Sequence, residues 1–266
     1  MAQPGTEHLT FDRHGATAVV TMNRPEAKNA LSLPMLVGMA DAWTEIDSDD
    51  SIRCAILTGA GGTFCSGMDL KSMSSPEAQK YQHRTQEDPD LHWKALLRHH
   101  QLRKPLIAAV EGYAVAGGTE ILQTTDIRVA GESAKFGVFE ARRGLFPLGG
   151  STVRLRRQIP FTVAMDLLLT AREVSAQEAL SIGLIGRIVP DGLALEEAMK
   201  VAEVINANGP LAVEAIKRSV RETEGLPETE ALKIELEIGM PIFATEDAAE
   251  GQKAFAEKRT PQYRRK

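Results

Sequence analysis

Two uninterrupted apolar runs most constrain how this 266-residue chain can fold: Cys54-Ala55-Ile56-Leu57-Thr58 and Leu106-Ile107-Ala108-Ala109-Val110. Both read as short strands buried on both faces, each followed by a glycine-bearing turn. Ala16 to Met22 alternates and is rich in β-branched residues, so it reads as a further strand, broken by Asn23-Arg24-Pro25-Glu26. Leu33 to Asp47 carries apolar residues at helical spacing, with Ser32 placed to cap it and Pro34 in its first turn. Leu91 to Leu102 and about Gly117 to Thr125 read as helices, and Ile127 to Ala130 as a strand. This alternation predicts an α/β fold with a parallel sheet. Met73 to Asp90 lacks apolar periodicity and contains Pro76 and Pro89, so it reads as a loop or lid. From Gln177 onward the pattern is almost wholly helical, with helices at Ala194 to Asn206, Leu211 to Thr223, Glu228 to Ile238 and Glu246 to Lys258.

Composition excludes several functions. A net charge of −5 without a long basic block gives nucleic-acid binding little electrostatic support. Cys54 and Cys65 are the only cysteines, too few for a disulfide framework and without metal-ligand spacing. They read as small apolar core residues. The start, Met1 to Glu7, has neither the positive charge nor the apolar stretch of a signal peptide, and no apolar run reaches membrane-spanning length. The expectation is a soluble cytoplasmic protein.

Three glycine-associated segments carry the chemistry. Phe64-Cys65-Ser66-Gly67-Met68-Asp69-Leu70-Lys71 follows a buried strand. It lacks the Gly-Lys-Ser/Thr ending of a phosphate loop and the Gly-x-Gly-x-x-Gly of a dinucleotide site, so alone it is also compatible with a simple tight turn. Val115-Ala116-Gly117-Gly118-Thr119-Glu120 joins a strand to a helix. Amides at a helix start are unpaired and partly positive, which suits a developing oxyanion; Glu120 there also complements the helix dipole. Glu140 stands among Phe136, Val138, Phe139, Leu145 and Phe146. Desolvation would raise its pKa and fit it for proton transfer, unless Arg142 or Arg143 pairs with it.

Four segments in order now resemble one family: Met22 to Leu31, Phe64 to Lys71, Val110 to Asp126 and Phe136 to Arg154, with further similarity at Ala254 to Arg259. They resemble the crotonase (enoyl-CoA hydratase/isomerase) superfamily across essentially the whole chain. The resemblance implies a crotonase-like spiral of ββα repeats over residues 1–195 and a helical C-terminal trimerisation module over 196–266. It implies oxyanion-hole amides at Met68 and Gly117 and catalytic glutamates at Glu120 and Glu140. The implied substrate-binding residues are Arg24, Lys28, Ala30, Ser66, Asp69, Leu70, Lys71 and Gly118. Phe255 and Lys258 match a part of the tail that approaches a neighbouring subunit's nucleotide. The implied partners are an acyl-CoA thioester and further copies of the chain, as a homotrimer or dimer of trimers. No cofactor is implied, coenzyme A being part of the substrate, and no metal, nucleic acid or membrane.

Retention of both glutamates favours an enoyl-CoA hydratase, which adds water across the C2=C3 bond of a trans-2-enoyl-CoA in β-oxidation. An isomerase and a catalytically silent acyl-CoA-binding subunit are the alternatives. Met68, Ala116 and Phe139 depart from the common alanine, glycine and proline, which bears on acyl-chain preference. Gly118 to Gln123 with Asp126 to Phe136 resembles an actinobacterial subgroup associated with steroid side-chain β-oxidation. Met73 to Asp90 is expected to form part of the acyl pocket. His83, His92, His99 and His100 are expected on the surface.

Overall fold

The apolar runs form the middle of a sheet covered on both sides. The computed structural model describes residues 4–69, 71–72 and 75–266. The chain opens with strands β1 (Leu9–His14) and β2 (Thr17–Met22), then helix α1 (Leu33–Ser48) and β3 (Cys54–Gly59). Three short helices follow, α2 (Pro76–Gln79), α3 (Gln82–Glu87) and α4 (Leu91–Ala95). Next come β4 (Leu106–Val110), β5 (Tyr113–Val115), α5 (Gly117–Leu122), β6 (Ile127–Gly131) and β7 (Lys135–Gly137). The chain continues through α6 (Ser151–Gln158), α7 (Phe161–Thr170), β8 (Val174–Ser175), α8 (Ala176–Ser181) and β9 (Arg187–Val189). Helices α9 (Ala194–Asn206), α10 (Pro210–Glu222), α11 (Glu228–Gly239) and α12 (Glu246–Glu257) close it.

The main sheet has the order β1-β2-β3-β4-β6-β9, parallel except for the β1–β2 hairpin. Side chains alternate between its two faces. Ala18, Val20, Ala55, Leu57, Ala108 and Val110 join the large core with α1. Val19, Cys54, Ile56, Ile107, Ala109 and Val129 face the other way and are covered by Ala194, Ala198, Val201 and Ala202 of α9. A second sheet runs β5-β7-β8. Isolated bridges Cys65–Ala114 and Leu31–Met68 extend it toward the first repeats. Successive turns of the chain thus add a strand to the main sheet and a strand or single bridge to the second, with helices between turns, which is the spiral of ββα repeats expected above, ending in a helical bundle.

The structure corrects several local expectations. β1 was not anticipated, because only Leu9 and Phe11 of its six residues are buried. The stretch expected to be a loop contains α2 and α3; Met73 and Ser74 lie outside the described residues. The helix expected to reach Leu102 ends at Ala95. Leu97 takes φ +50°, and the carbonyls released there accept other donors: Trp43 Nε1 on Ala95 at 2.9 Å and Arg154 on Leu97 at 3.0 Å. β9 interrupts the region expected to be almost wholly helical, as a three-residue edge strand.

Lys104 joins α1 to the sheet. Its side chain has no exposed surface, and Nζ donates to the Ile46 carbonyl at 2.6 Å and the Asp49 carbonyl at 2.5 Å. It satisfies carbonyls at the C-terminal end of α1. Lys104→Met is expected to lower unfolding free energy by about 1–3 kcal/mol, the cost of leaving buried carbonyls unpaired. Urea unfolding checks this.

Candidate active site

Glycine contacts and one strained residue bring the separate segments together. Between β5 and α5, Ala116 adopts φ +50°, ψ −124°, a region that a residue with a Cβ rarely enters. Its N–H donates to the Gly137 carbonyl at 2.8 Å, which fixes α5 over β7. The Thr119 hydroxyl reinforces this, lying 2.5 Å from the Ala114 carbonyl and 2.9 Å from the Gly137 carbonyl. The turn points the start of α5 at the Gly67–Met68 segment. A Cβ on Gly67 would lie 3.2 Å from the Gly117 nitrogen, and one on Gly117 would lie 3.6 Å from the Met68 nitrogen. Among the described residues, neither the Met68 nor the Gly117 N–H donates a hydrogen bond.

Glu120 is 5% exposed, one turn into α5. The Ser151 N–H donates to its Oε1 at 3.2 Å. Gly149 packs so closely that a Cβ there would sit 2.5 Å from Glu120 Oε2. Burial raises the Glu120 pKa, opposed by hydrogen bonds from Ser151, Gly149 and Gly150. Glu140 opens the turn after β7. Its Oε2 is buried and has no hydrogen-bond partner among the described residues. Burial first, and then the charge of Glu120, push the Glu140 pKa up to about 7. The alternative of an arginine ion pair is not realised: Arg142 lies over the Phe139 ring at 4.5 Å, and the pull of Arg143 on the Glu140 pKa is outweighed by burial and by Glu120.

Both carboxylates open onto one cavity of about 750 Å³, which Met68, Ala116 and Gly117 also line. Ala30, Ser66, Asp69 and Lys71 line the same cavity. Arg24 stands behind them in an ion pair with Asp69. Lys28 lies over the Tyr113 ring at 5.3 Å. Buried Asn29 locks this segment: its Oδ1 accepts from the Arg24 N–H at 2.8 Å and its Nδ2 donates to the Ala60 and Thr63 carbonyls. Gly118 is buried against Cys65 and does not line the cavity, while Leu70 lies outside the described residues. Both cysteines are buried thiols whose pKa burial pushes up to about 12.

The wall beyond the carboxylates differs from expectation. None of the described residues of 75–90 lines the cavity; the apolar wall is Trp93, Leu96, Leu145, Phe146 and Leu148. Tyr81 instead donates its hydroxyl to Glu7 at 2.7 Å. His92, expected on the surface, lines the cavity half-buried, and burial lowers its pKa. The Gly149–Ser151 grip on Glu120 was also missed, although glycines preceding a serine at a helix start mark a run of free amides.

The chain is similar to known proteins along nearly its whole length. The enoyl-CoA hydratase/isomerase family model matches residues 12–266. The enoyl-CoA hydratase EchA19 of Mycobacterium tuberculosis is 58% identical over 253 residues, 95% of this chain and 94% of that protein. The (E)-benzylidenesuccinyl-CoA hydratase of Thauera aromatica is 36% identical, with 96% of this chain and 98% of that protein covered. The crystal structure of an enoyl-CoA hydratase from Mycobacterium tuberculosis superposes with a TM-score of 0.89 at 38% identity, covering 98% of this chain and all of the other. With its spiral of ββα repeats and a family match running from residue 12 to the C-terminal residue, the chain belongs to the enoyl-CoA hydratase/isomerase family.

Proposed function

We propose that this chain is an enoyl-CoA hydratase that adds water across the C2=C3 bond of a trans-2-enoyl-CoA in β-oxidation. The observation that carries this reading is the convergence of Glu120 and Glu140 on the cavity that Met68 and Gly117 also line. The thioester oxygen accepts the Met68 and Gly117 N–H groups, each worth a few kcal/mol, roughly 2.7–4, as negative charge builds there. C3 becomes electrophilic. Glu120 takes a proton from water as the oxygen bonds to C3, and Glu140 gives a proton to C2. The pair shares its protons and titrates as a unit. Arg24, Lys28, Ala30, Ser66, Asp69, Leu70 and Lys71 hold coenzyme A, and Gly118 gives α5 its close approach to Cys65.

The preferred acyl group is bulky, in keeping with a steroid side-chain substrate. The apolar wall supports this: Leu145, Phe146 and Leu148 are 50%, 64% and 56% exposed at the cavity mouth, ready to cover a large hydrophobic group. Residues 1–195 carry the site and 196–266 assemble the oligomer, a homotrimer or dimer of trimers. Exposed apolar side chains on the C-terminal helices, among them Ile216, Val220, Leu236 and Phe243, favour such burial. Phe255, 88% exposed, and Lys258 approach a neighbouring subunit's nucleotide.

The experiment is a comparison of kcat/KM for short-chain, long-chain and steroidal side-chain enoyl thioesters, followed by loss of enoyl absorbance. The steroidal substrate is expected to lead by at least about tenfold, the discrimination that a few buried methylenes supply. A short-chain optimum overturns the acyl assignment and leaves the hydratase reading standing.

The pH profile follows from the two carboxyls. Glu140 must be protonated to donate, so activity is expected to fall about tenfold per pH unit above about 7. Glu120 must be ionised, so an acid limb is expected above the ordinary glutamate range, because burial raises its pKa. Rates that stay flat to pH 9 contradict these roles.

A further inference from the structure

Behind the loop that grips Glu120 lies a second cavity of about 320 Å³, between α6, α10 and residues 97–106. Its charged lining is Arg98, Arg154, Arg157, Lys217 and Arg221 against one carboxylate, Glu224. Neighbouring groups do not balance this charge. Asp126 is shared, meeting Lys217 at 2.7 Å and Arg221 at 3.1 Å, while Glu224 reaches Arg157 at 3.5 Å. Arg98 and Arg154 have no ion-pair partner among the described residues. Arg98 Nε donates to the Leu148 carbonyl at 2.7 Å. Arg154 donates to the carbonyls of Gly149 at 2.7 Å, Leu97 at 3.0 Å and Arg98. Carbonyls satisfy the N–H groups but leave the positive charges in place. Burial, and then the nearby Arg221, lower the Arg154 pKa despite the opposing charge of Glu120.

Like charges gathered around a partly enclosed cavity repel one another until a counter-ion joins them. We propose that this cavity binds a phosphate-sized dianion, gripped by Arg157 and Arg221 in the field of Lys217 and Arg154. Guanidinium forks match the oxygens of a phosphoryl group and make charge-assisted hydrogen bonds to them. The five cations exceed the three nearby carboxylates, Asp126, Glu224 and Glu120, by two charges, which a dianion offsets better than a monoanion. The volume lies at the low end for ligand pockets and is too small to enclose a whole acyl-CoA, which favours a small phosphoryl compound. Arg157 is 45% exposed and can turn inward without unpacking the core.

The test is isothermal titration of the full-length protein with inorganic phosphate, and separately with methyl phosphate, at constant ionic strength. Saturable binding is expected in the wild type and in Arg24→Gln, which alters the proposed coenzyme A site instead. Binding is expected to weaken at least about tenfold in both Arg157→Ala and Arg221→Gln, the loss of one charge-assisted contact. Equal binding of methyl phosphate assigns the site to phosphate monoesters; binding of inorganic phosphate alone assigns it to the free ion. Heats no larger than those from matched chloride overturn the proposal. So does binding that disappears in Arg24→Gln but persists in Arg157→Ala. Arg157 is partly solvent-exposed, so its removal leaves the fold intact, and circular dichroism checks this. The readout is binding and not turnover, so its outcome is independent of the hydratase reading.

Discussion

Glu140→Gln is expected to lower kcat for hydration by about 10²–10⁴-fold while leaving the protein as stable as the wild type or more so. The amide keeps the size of the side chain but cannot deliver a proton to C2. Glu120→Gln is expected to lose a similar factor, because water then has no base. Stability separates loss of chemistry from loss of fold. The folded Glu140 pKa of about 7 lies above its ordinary value, so the protonated form is the one the fold favours. No penalty exists below the ordinary glutamate range; one builds as pH rises toward 7 and is complete above it. Allowing for solvent screening of a half-exposed side chain, Glu140→Gln should gain about 1–2 kcal/mol over the wild type at pH 8 and nothing near pH 4. Thermal melts at the two pH values check this. A variant destabilised at pH 8 would mean that the carboxylate has a stabilising partner.

Gly118→Ala is expected to damage both stability and rate. A Cβ at this position would lie 2.3 Å from the Cys65 carbonyl oxygen, a backbone atom that cannot swing aside. The Cys65 carbonyl accepts from the Val115 N–H at 3.0 Å, and Cys65 leads directly into Gly67 and Met68. Relieving the overlap therefore moves the Met68 amide away from the Gly117 amide. Overpacking of this kind costs about 1–3 kcal/mol. Loss of one oxyanion donor costs about 10²–10³-fold in kcat. Denaturant unfolding and steady-state kinetics on the same preparation measure both. A drop in stability with unchanged kcat would show that the two amides do not act together on the thioester oxygen.

The parts of the fold legible in the chain are those in which local pattern and burial coincide. Residues 54–58 and 106–110 are apolar because both faces of their strands are covered, so they read directly as buried strands. α1 carried its own cap, with Ser32 accepting from the Met35 N–H. α2 also had a start signal, Ser75 before Pro76, hidden by the lack of periodicity around it. The premature end of α4 was not legible, because the groups that compete for its carbonyls, Trp43 and Arg154, come from far along the chain. The site divides in the same way. Glycines and glutamates announced Gly117, Glu120 and Glu140, but the Ser151 amide that holds Glu120 lies 31 residues downstream. His92 belonged to a segment read as a helix and was expected at the surface, and only packing brings it and Trp93 to the cavity.

Whether this cavity adds water to an enoyl thioester is decided by labelled water. The wild-type protein would be incubated with a trans-2-enoyl-CoA in ¹⁸O-enriched water and the product mass and label position determined. The expected product is heavier by one labelled water, with the oxygen on C3, and none forms with Glu120→Gln or Glu140→Gln. A product of unchanged mass with a migrated double bond, or bound thioester recovered unaltered, would contradict it.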